Sequence, residues 1–255
     1  GSPAGRMRRE IVEAESDEAL SSLEELGELT ASLHVFLTRD DVDPGLGTDL
    51  VRASDVAAWV ASAKASLNKA LRSSSDDLQS VVDPIRSVFD SFKAIQDRGV
   101  KIRAHGDYHL GQAMLSRRGW MIIDFEGEPA RPLQDRRAKH SALKDVAGLL
   151  RSLSYVSSTV LYEMSDAEAD DWQRLEPWAD TWEAAARDRF LSAYRRRSHE
   201  ASFLQADPRS RAVSLSFFEL DKALYEIGYE LSHRPDWVRV PLRGIRTILR
   251  RRRRR

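Results

Sequence analysis

His105-Gly106-Asp107-Tyr108-His109-Leu110-Gly111-Gln112, followed after Trp120-Met121-Ile122-Ile123 by Asp124-Phe125-Glu126-Gly127, is the stretch from which the fold is read. Val100-Lys101-Ile102-Arg103-Ala104 precedes it, and Arg117-Arg118-Gly119 breaks it in the middle. Both Val100-to-Ala104 and Trp120-to-Ile123 are short and rich in β-branched or aromatic residues, which is the composition of strands bounded by turns. They predict a small hairpin formed by pairing the one stretch with the other, with the two polar loops carried at one end.

Outward from this centre the period changes from two to that of a helix. Towards the N-terminus, Leu20, Leu23, Leu26, Leu29, Leu33, Val35, Phe36 and Leu37 recur at near-helical spacing, predicting a helix over 17–37. Asp43-Pro44-Gly45 and Gly47 mark a loop over 38–48. Further helices are predicted over 54–72, with Ser54 as N-cap, and over 81–98, ended by Gly99. Beyond a polar loop over 126–141, helices are predicted over about 143–155, 177–197 and 212–232. The fold class is therefore α+β, mainly α, with one small β element in its middle.

Composition agrees with a globular chain. Of 255 residues, 42% are hydrophobic and 31% charged, and no apolar run approaches the length needed to cross a bilayer. No signal-peptide core follows Gly1-Ser2-Pro3-Ala4-Gly5, and Gly-Ser without an initiator Met reads as an expression scar. The absence of cysteine excludes disulfides and thiolate chemistry, and a cytoplasmic location is expected. Residues 1–16 are expected to be a scar and a disordered lead, 17–245 one folded lobe, and 246–255 a basic tail. Formal charge is zero although 250–255 are all arginine, so the body is acidic. A terminal like-charge block is ordinarily disordered by self-repulsion; the alternative is a salt-dependent polyanion contact, though no interleaved aromatic favours nucleic acid.

The chemistry sits in the central loops. Alone, His-Gly-Asp is a weak signal, because Asp beside Gly is most often a turn residue. Two separated carboxylates and an amide at one end of a hairpin form a more specific set. Phosphoryl transfer needs one carboxylate to receive or orient an acceptor hydroxyl, and a carboxylate and an amide oxygen to hold Mg²⁺ on the phosphates.

The combination of His105-Gly106-Asp107-x-His109, Gln112 and a strand ending in Asp124-Phe125 resembles the catalytic and metal-binding loops of the protein-kinase-like small-molecule kinases. Gly111-Gln112 and Asp124-Phe125-Glu126-Gly127-Glu128-Pro129-Ala130-Arg131-Pro132-Leu133 narrow the resemblance to the maltokinases and actinobacterial glucosamine kinases of the aminoglycoside-phosphotransferase superfamily. It continues through Leu143-Lys144-Asp145-Val146-Ala147-Gly148-Leu149-Leu150-Arg151-Ser152, through Phe218-Glu219-Leu220-Asp221-Lys222-Ala223-Leu224-Tyr225-Glu226, and at Arg234-Pro235-Asp236-Trp237. Gln112 departs from the common Asn, Glu126 from the common Gly, and Lys144 from the usual maltokinase Arg. The resemblance implies a kinase C-terminal lobe using ATP and Mg²⁺. In it Asp107 is the catalytic base, Gln112 and Asp124 hold metal, and His105, His109, Glu126 and Asp145 support them.

Other roles remain open on the residues alone. His105 and His109 suit loop packing, and neither has the partners of a zinc ligand. Asp145 suits an N-cap, against the resemblance's reading of a bond to the catalytic-loop backbone. Tyr225-Glu226-x-x-Tyr229-Glu230 places two tyrosines on one stripe and two carboxylates on the next. That is either a buried tyrosine face with a solvated acidic edge or a sugar platform, for which Glu226, Tyr229 and Trp237 are the candidate acceptor contacts.

Kinases of the resembled kind carry a β-rich lobe with a phosphate-binding lysine ahead of the helix bearing Leu33-His34. The residues ahead of that helix show no strand pattern, and the first lysine is Lys64. Three expectations follow: a fragment that needs the absent lobe, a complex in which another polypeptide supplies it, or an inert sugar-binding relic. The implied acceptor is maltose, with glucosamine or an aminoglycoside as the alternative, and the resemblance to maltokinases adds trehalose synthase as a partner by analogy.

Overall fold

The computed structural model describes the backbone of residues 3–43, 45–73, 76–127, 132–164, 169–199 and 201–253, with side chains described for most of these from Asp17 onward. Its elements are α1 (Pro3–Phe36), β1 (Asp49–Leu50), α2 (Ala53–Ser73), α3 (Asp76–Gln79), α4 (Val82–Ala94) and β2 (Val100–Lys101). After a 3-10 turn at Leu110–Gln112 come β3 (Ala113–Ser116), β4 (Gly119–Ile122), α5 (Leu133–Arg137), α6 (Leu143–Met164), α7 (Ala169–Arg197), α8 (Pro208–His233), a 3-10 turn at Pro235–Val238 and α9 (Arg239–Arg253). The mainly helical α+β class expected from the periodicity is what is seen.

Helix α8 is the axis of the core. It packs against α2, α4, α6 and α9, while α1 lies along α7. Phe217 and Phe218 on α8 are buried with Phe89 and Phe92 of α4; Phe92 stacks on Phe217 with centroids 4.0 Å apart. Each such ring removes about 1.5–3 kcal/mol worth of apolar surface from water, so this cluster fixes α4 against α8. Asp207 caps α8, accepting from the Arg209 and Ser210 amides, and Pro208 supplies the fixed φ of the first turn.

The β expectation needs correction. Val100 does not pair with the later stretch: β2 pairs antiparallel with β1, and Ile102 bridges to His140. The hairpin is instead β3 with β4, closed at Ser116↔Gly119, so residues after the Asp107 loop supply one strand. Ala113-Met114-Leu115-Ser116 lacks β-branched residues, which is why composition alone passed over it. The hairpin still carries both polar loops at its open end. It is seated on α1 by Trp120, whose indole N–H donates to the Ser22 carbonyl at 2.8 Å.

The expected boundaries also shift. Helix α1 begins at Pro3 rather than at 17, through a run of good helix formers where a disordered lead was expected. Ser54 is not an N-cap: α2 starts at Ala53, and the Arg52 amide donates to the Asp55 carboxylate at 2.7 Å. α7 begins before Pro177, which lies inside it.

The basic segment is the largest correction. Residues 246–253 are not a disordered tail but the last turns of α9, which buries Val240, Leu242, Ile245, Ile248 and Leu249. Its arginines meet acidic partners on other elements: Arg243 with Asp180 at 2.5 Å, Arg246 with Asp77 at 2.6 Å and Arg251 with Glu183 at 3.5 Å. Opposite charge from α7 and α3 outweighs the self-repulsion on which the expectation rested. Gly1, Ser2, Arg254 and Arg255 lie outside the described residues, as do Glu128 to Arg131 of the quoted resemblance.

Candidate functional site

The loop carrying Asp107 is held from beneath by one buried carboxylate. Asp145, in the first turn of α6, accepts from the His105 amide at 2.7 Å and the Gly106 amide at 2.9 Å. It therefore serves the loop backbone, not its own helix as an N-cap. His34 of α1 adds a bond from Nε2 at 3.3 Å, and the Tyr194 hydroxyl meets His34 Nδ1 at 2.8 Å. Burial alone would raise the Asp145 carboxyl's pKa; the bonds from His34 and the two amides outweigh this and hold it below the ordinary carboxylate range.

Three further contacts fix the loop. Tyr108 is buried with its hydroxyl 2.8 Å from Thr30 Oγ1. A Cβ on Gly148 of α6 would stand 2.4 Å from the Tyr108 carbonyl oxygen, so the loop lies directly on helix backbone and only glycine admits it. The Leu110 amide donates to Ser152 Oγ at 3.1 Å.

The loop carrying Asp124 docks against this one. His105 Nε2 donates to the Ile123 carbonyl at 2.8 Å, and its ring lies 4.9 Å from that of Phe125. Asp124 has φ +62°, a left-handed conformation rare outside glycine and held here by the surrounding contacts. Gln112 Nε2 donates to Asp124 Oδ2 at 2.9 Å, so the amide and the carboxylate expected to share a metal are side by side. His109 accepts from the Gly111 amide and caps the 3-10 turn that presents Gln112. Glu126 is exposed, and its carbonyl accepts from Arg136 at 3.4 Å.

Asp107 points to α8. Lys222 Nζ lies 3.3 Å from Asp107 Oδ1, with both side chains mostly shielded. Lys222 stands within a quoted stretch of the resemblance, but no role was drawn from it there; pairing across more than a hundred residues leaves no local signal. Asp107 and Lys222 border a cavity of about 430 Å³, walled by Tyr155, Tyr229, Glu226 and Glu230.

The wall inverts the expected stripe. Glu226 and Glu230 are the buried pair, at 7% and 1% exposure, while Tyr225 and Tyr229 are 36% and 45% exposed. Buried arginine explains the inversion. Arg151 of α6 donates twice to Glu226 Oε2, at 3.0 and 2.7 Å, leaving Oε1 with no bond from the described residues. Burial would lower the Arg151 pKa, and the Glu226 charge more than restores it. Arg234 and the Tyr155 hydroxyl hold Glu230. Trp237 does not border this cavity: it stacks on Tyr162 with centroids 4.6 Å apart and lies 4.8 Å from the Arg234 guanidinium. It packs against Arg234, a wall residue.

No family model matches the chain. It is 29% identical over 229 residues to a glucosamine kinase of Streptacidiphilus jiangxiensis, covering 88% of this chain and 48% of that protein. This chain is similar to glucosamine kinases. A second, from Mycolicibacterium smegmatis (strain ATCC 700084 / mc(2)155), is 30% identical over 158 residues, or 59% of this chain and 35% of the relative. Among solved structures, a glucosamine kinase in complex with glucosamine, ADP and inorganic phosphate superposes with TM-score 0.77 at 29% identity, covering 92% of this chain and 53% of that one. Crystal form A of a glucosamine kinase gives 0.78 at 29% identity, covering 93% and 55%. The chain thus spans about half the length of the structures it matches, and shares their fold over that half. These relatives and solved structures are all glucosamine kinases, the group given above as the alternative to maltokinase. Among the described residues no helix is long and apolar enough to cross a membrane.

Proposed function

We propose that this chain is the acceptor- and metal-binding part of an ATP-dependent sugar kinase, and that its acceptor is glucosamine and not maltose. The observation that carries the reading is the approach of Asp107 and Lys222 to one tyrosine-walled cavity, on a loop tied by the His105–Ile123 bond to the strand end that carries Asp124, itself paired with Gln112. The likeness to a structure holding glucosamine, ADP and inorganic phosphate supports it.

Asp107 receives the proton of an acceptor hydroxyl as the oxygen forms its bond to the γ-phosphorus and the bond to ADP breaks. Lys222, 3.3 Å away, holds that carboxylate aimed at the cavity. Asp124 and Gln112 suit Mg²⁺: a carboxylate and an amide are hard oxygen donors, few enough to leave room for water and phosphate oxygens. The ion would supply charge neutralisation on the transferred phosphoryl group. Tyr229 and Tyr225 offer ring faces, and Glu226 Oε1 offers an acceptor for a hydroxyl or ammonium group.

The grip on the nucleotide we assign to a part of the enzyme that these 255 residues do not span. Met114, Leu115 and Met121 of the hairpin and Ile123 and Phe125 beside it are all 39% exposed or more, an apolar surface next to the site that a further lobe would cover. Partnership with trehalose synthase belongs to the maltose reading and is not carried forward.

The test has two parts. Calorimetry on the chain alone measures glucosamine against maltose; preferential maltose binding would refute the acceptor assignment. ATP consumption is then followed for the chain alone, for the chain joined to the missing half of a glucosamine kinase, and for the Asp107→Asn form of that fusion. We expect turnover only in the intact fusion, reduced by 10²-fold or more by the Asn substitution, the scale of general-base catalysis. Full turnover by the Asn form would remove Asp107 from its role.

A further inference from the structure

A second cavity, of about 230 Å³, lies between α7, α8 and α9, away from the cleft at Asp107. Four arginines border it: Arg187 from α7, Arg209 from α8, and Arg251 and Arg252 from α9. Glu219 is the one carboxylate in its wall, and Arg187 already engages both of its oxygens. Arg251 has Glu183 at 3.5 Å behind the wall, but that carboxylate is also bound by Ser154 and Ser157 and lies 3.8 Å from Arg243. Arg209 makes no side-chain hydrogen bond or ion pair among the described residues, and Arg252 has only hydroxyl help, from Ser91 at 2.5 Å. Positive charge in the cavity wall is therefore in clear excess.

Two details show that this excess is costly as it stands. Arg252 Nη1 is shut off from solvent without a hydrogen-bond partner, a situation that is unfavourable for an ordinary polar group and more so for a charged one. The Arg251 pKa is lowered, first by burial and then by the neighbouring Arg187 charge. An anion in the cavity would offset the crowding of Arg251 and Arg187.

The chemistry of the wall narrows what the anion is. Guanidinium groups offer paired N–H donors that match tetrahedral phosphate oxygens, and several around one space satisfy a dianion better than a single carboxylate. The remaining wall, with Val213, Ile248 and the Ser216 hydroxyl, leaves room for a small organic group. We propose that this cavity is a binding site for a phosphate group, as inorganic phosphate or as a small phosphate monoester, distinct from the cleft of the proposed reaction. The site stands on its own residues, whichever reaction the chain serves.

The experiment uses the full chain, with sodium phosphate and a hexose monophosphate as probes and sodium chloride at matched ionic strength as reference. Calorimetry and thermal unfolding are expected to show saturable binding that chloride does not reproduce. Tighter binding of the hexose monophosphate would identify the ligand as an ester, and equal binding would identify it as phosphate itself. Arg209→Ala with Arg252→Ala should weaken the affinity at least tenfold, while Lys222→Ala in the cleft should leave it unchanged. Arg209→Ala alone, which removes no side-chain hydrogen bond among the described residues and only a weak charge interaction with Asp207, should weaken binding severalfold and covers the case of a double variant that fails to fold. The proposal is overturned by a phosphate effect no larger than that of chloride, by binding that survives the arginine substitutions, or by binding that disappears in Lys222→Ala.

Discussion

Replacing Asp145 by Asn tests the support of the loop carrying Asp107 with almost no change of shape. The carboxylate is 1% exposed and accepts three bonds, from the His105 and Gly106 amides and from His34. An Asn keeps one acceptor oxygen and turns an NH₂ towards a donor, so at least one buried N–H loses its partner. That costs about 1–3 kcal/mol, and exchanging charged for neutral acceptors at the remaining bonds adds about 1 kcal/mol. A total of roughly 2–4 kcal/mol corresponds, at about 2–4 °C per kcal/mol for a domain of this size, to a midpoint lower by roughly 4–16 °C. The pH dependence carries the opposite check. The folded Asp145 pKa lies below its unfolded value of about 3.9, so its stabilisation is full above that value and fades as pH falls through the folded pKa. The variant should therefore lose less stability than the parent between neutral and acid pH. Urea unfolding at pH 7 and near pH 3 measures both. Equal stability of the two proteins at pH 7 would refute the bracing role, and an unchanged difference at both pH values would refute the ionised state.

Three further outcomes are expected. Gly148→Ala forces a methyl into the Tyr108 carbonyl 2.4 Å away and should cost about 1–3 kcal/mol by the same unfolding assay, with the loop displaced; a neutral effect would show that helix and loop are not in direct contact. Arg151→Met leaves Glu226 buried without its partner and should destabilise by about 3–5 kcal/mol, while Arg151→Met with Glu226→Met should recover most of that, so additive losses in the double-mutant cycle would argue against a buried pair. Truncation after Leu249 removes the Arg251–Glu183 and Arg252–Ser91 contacts and should lower the melting midpoint by a few degrees; an unchanged midpoint would restore the reading of a dispensable tail.

What the residues disclosed depended on how far each signal reaches along the chain. Helices α1, α2, α4, α6, α7 and α8 were foreseen because an apolar stripe with a 3.6-residue period lies within one element, although their ends shifted where Asp207 or Asp55 caps by geometry that composition does not record. Asp107, Gln112 and Asp124 were visible because the short β3–β4 connection keeps them close in sequence. His34, Tyr194 and Lys222 gave no such signal. Each acts from a distant helix: Lys222 across 115 residues directly on Asp107, His34 across 111 through Asp145, and Tyr194 through His34. The Tyr225–Glu230 stripe was seen but its sides were exchanged, because nothing near Glu226 in sequence announces the Arg151 that permits its burial.

The arginine run at the C-terminus fails in the same way, and its failure has a consequence for the protein's chemistry. A block of like charge is a sound sign of disorder only when opposite charge elsewhere in the chain does not converge on it. Here Asp77, Asp180 and Glu183 converge on α9 from α3 and α7, and Ile245, Ile248 and Leu249 give the helix an apolar face to bury. The partners are fewer than the arginines, however. Ordering the helix therefore brings Arg251 and Arg252 up to Arg187 and Arg209, and the charge that remains uncompensated faces the cavity between α7, α8 and α9. A solvated tail would spread that charge into water at little cost. A folded one concentrates it, so the ordering of α9 and the affinity of its cavity for a phosphate group are two results of one arrangement. Saturating phosphate should then raise the melting midpoint of the full chain and leave that of the Leu249 truncation where it is.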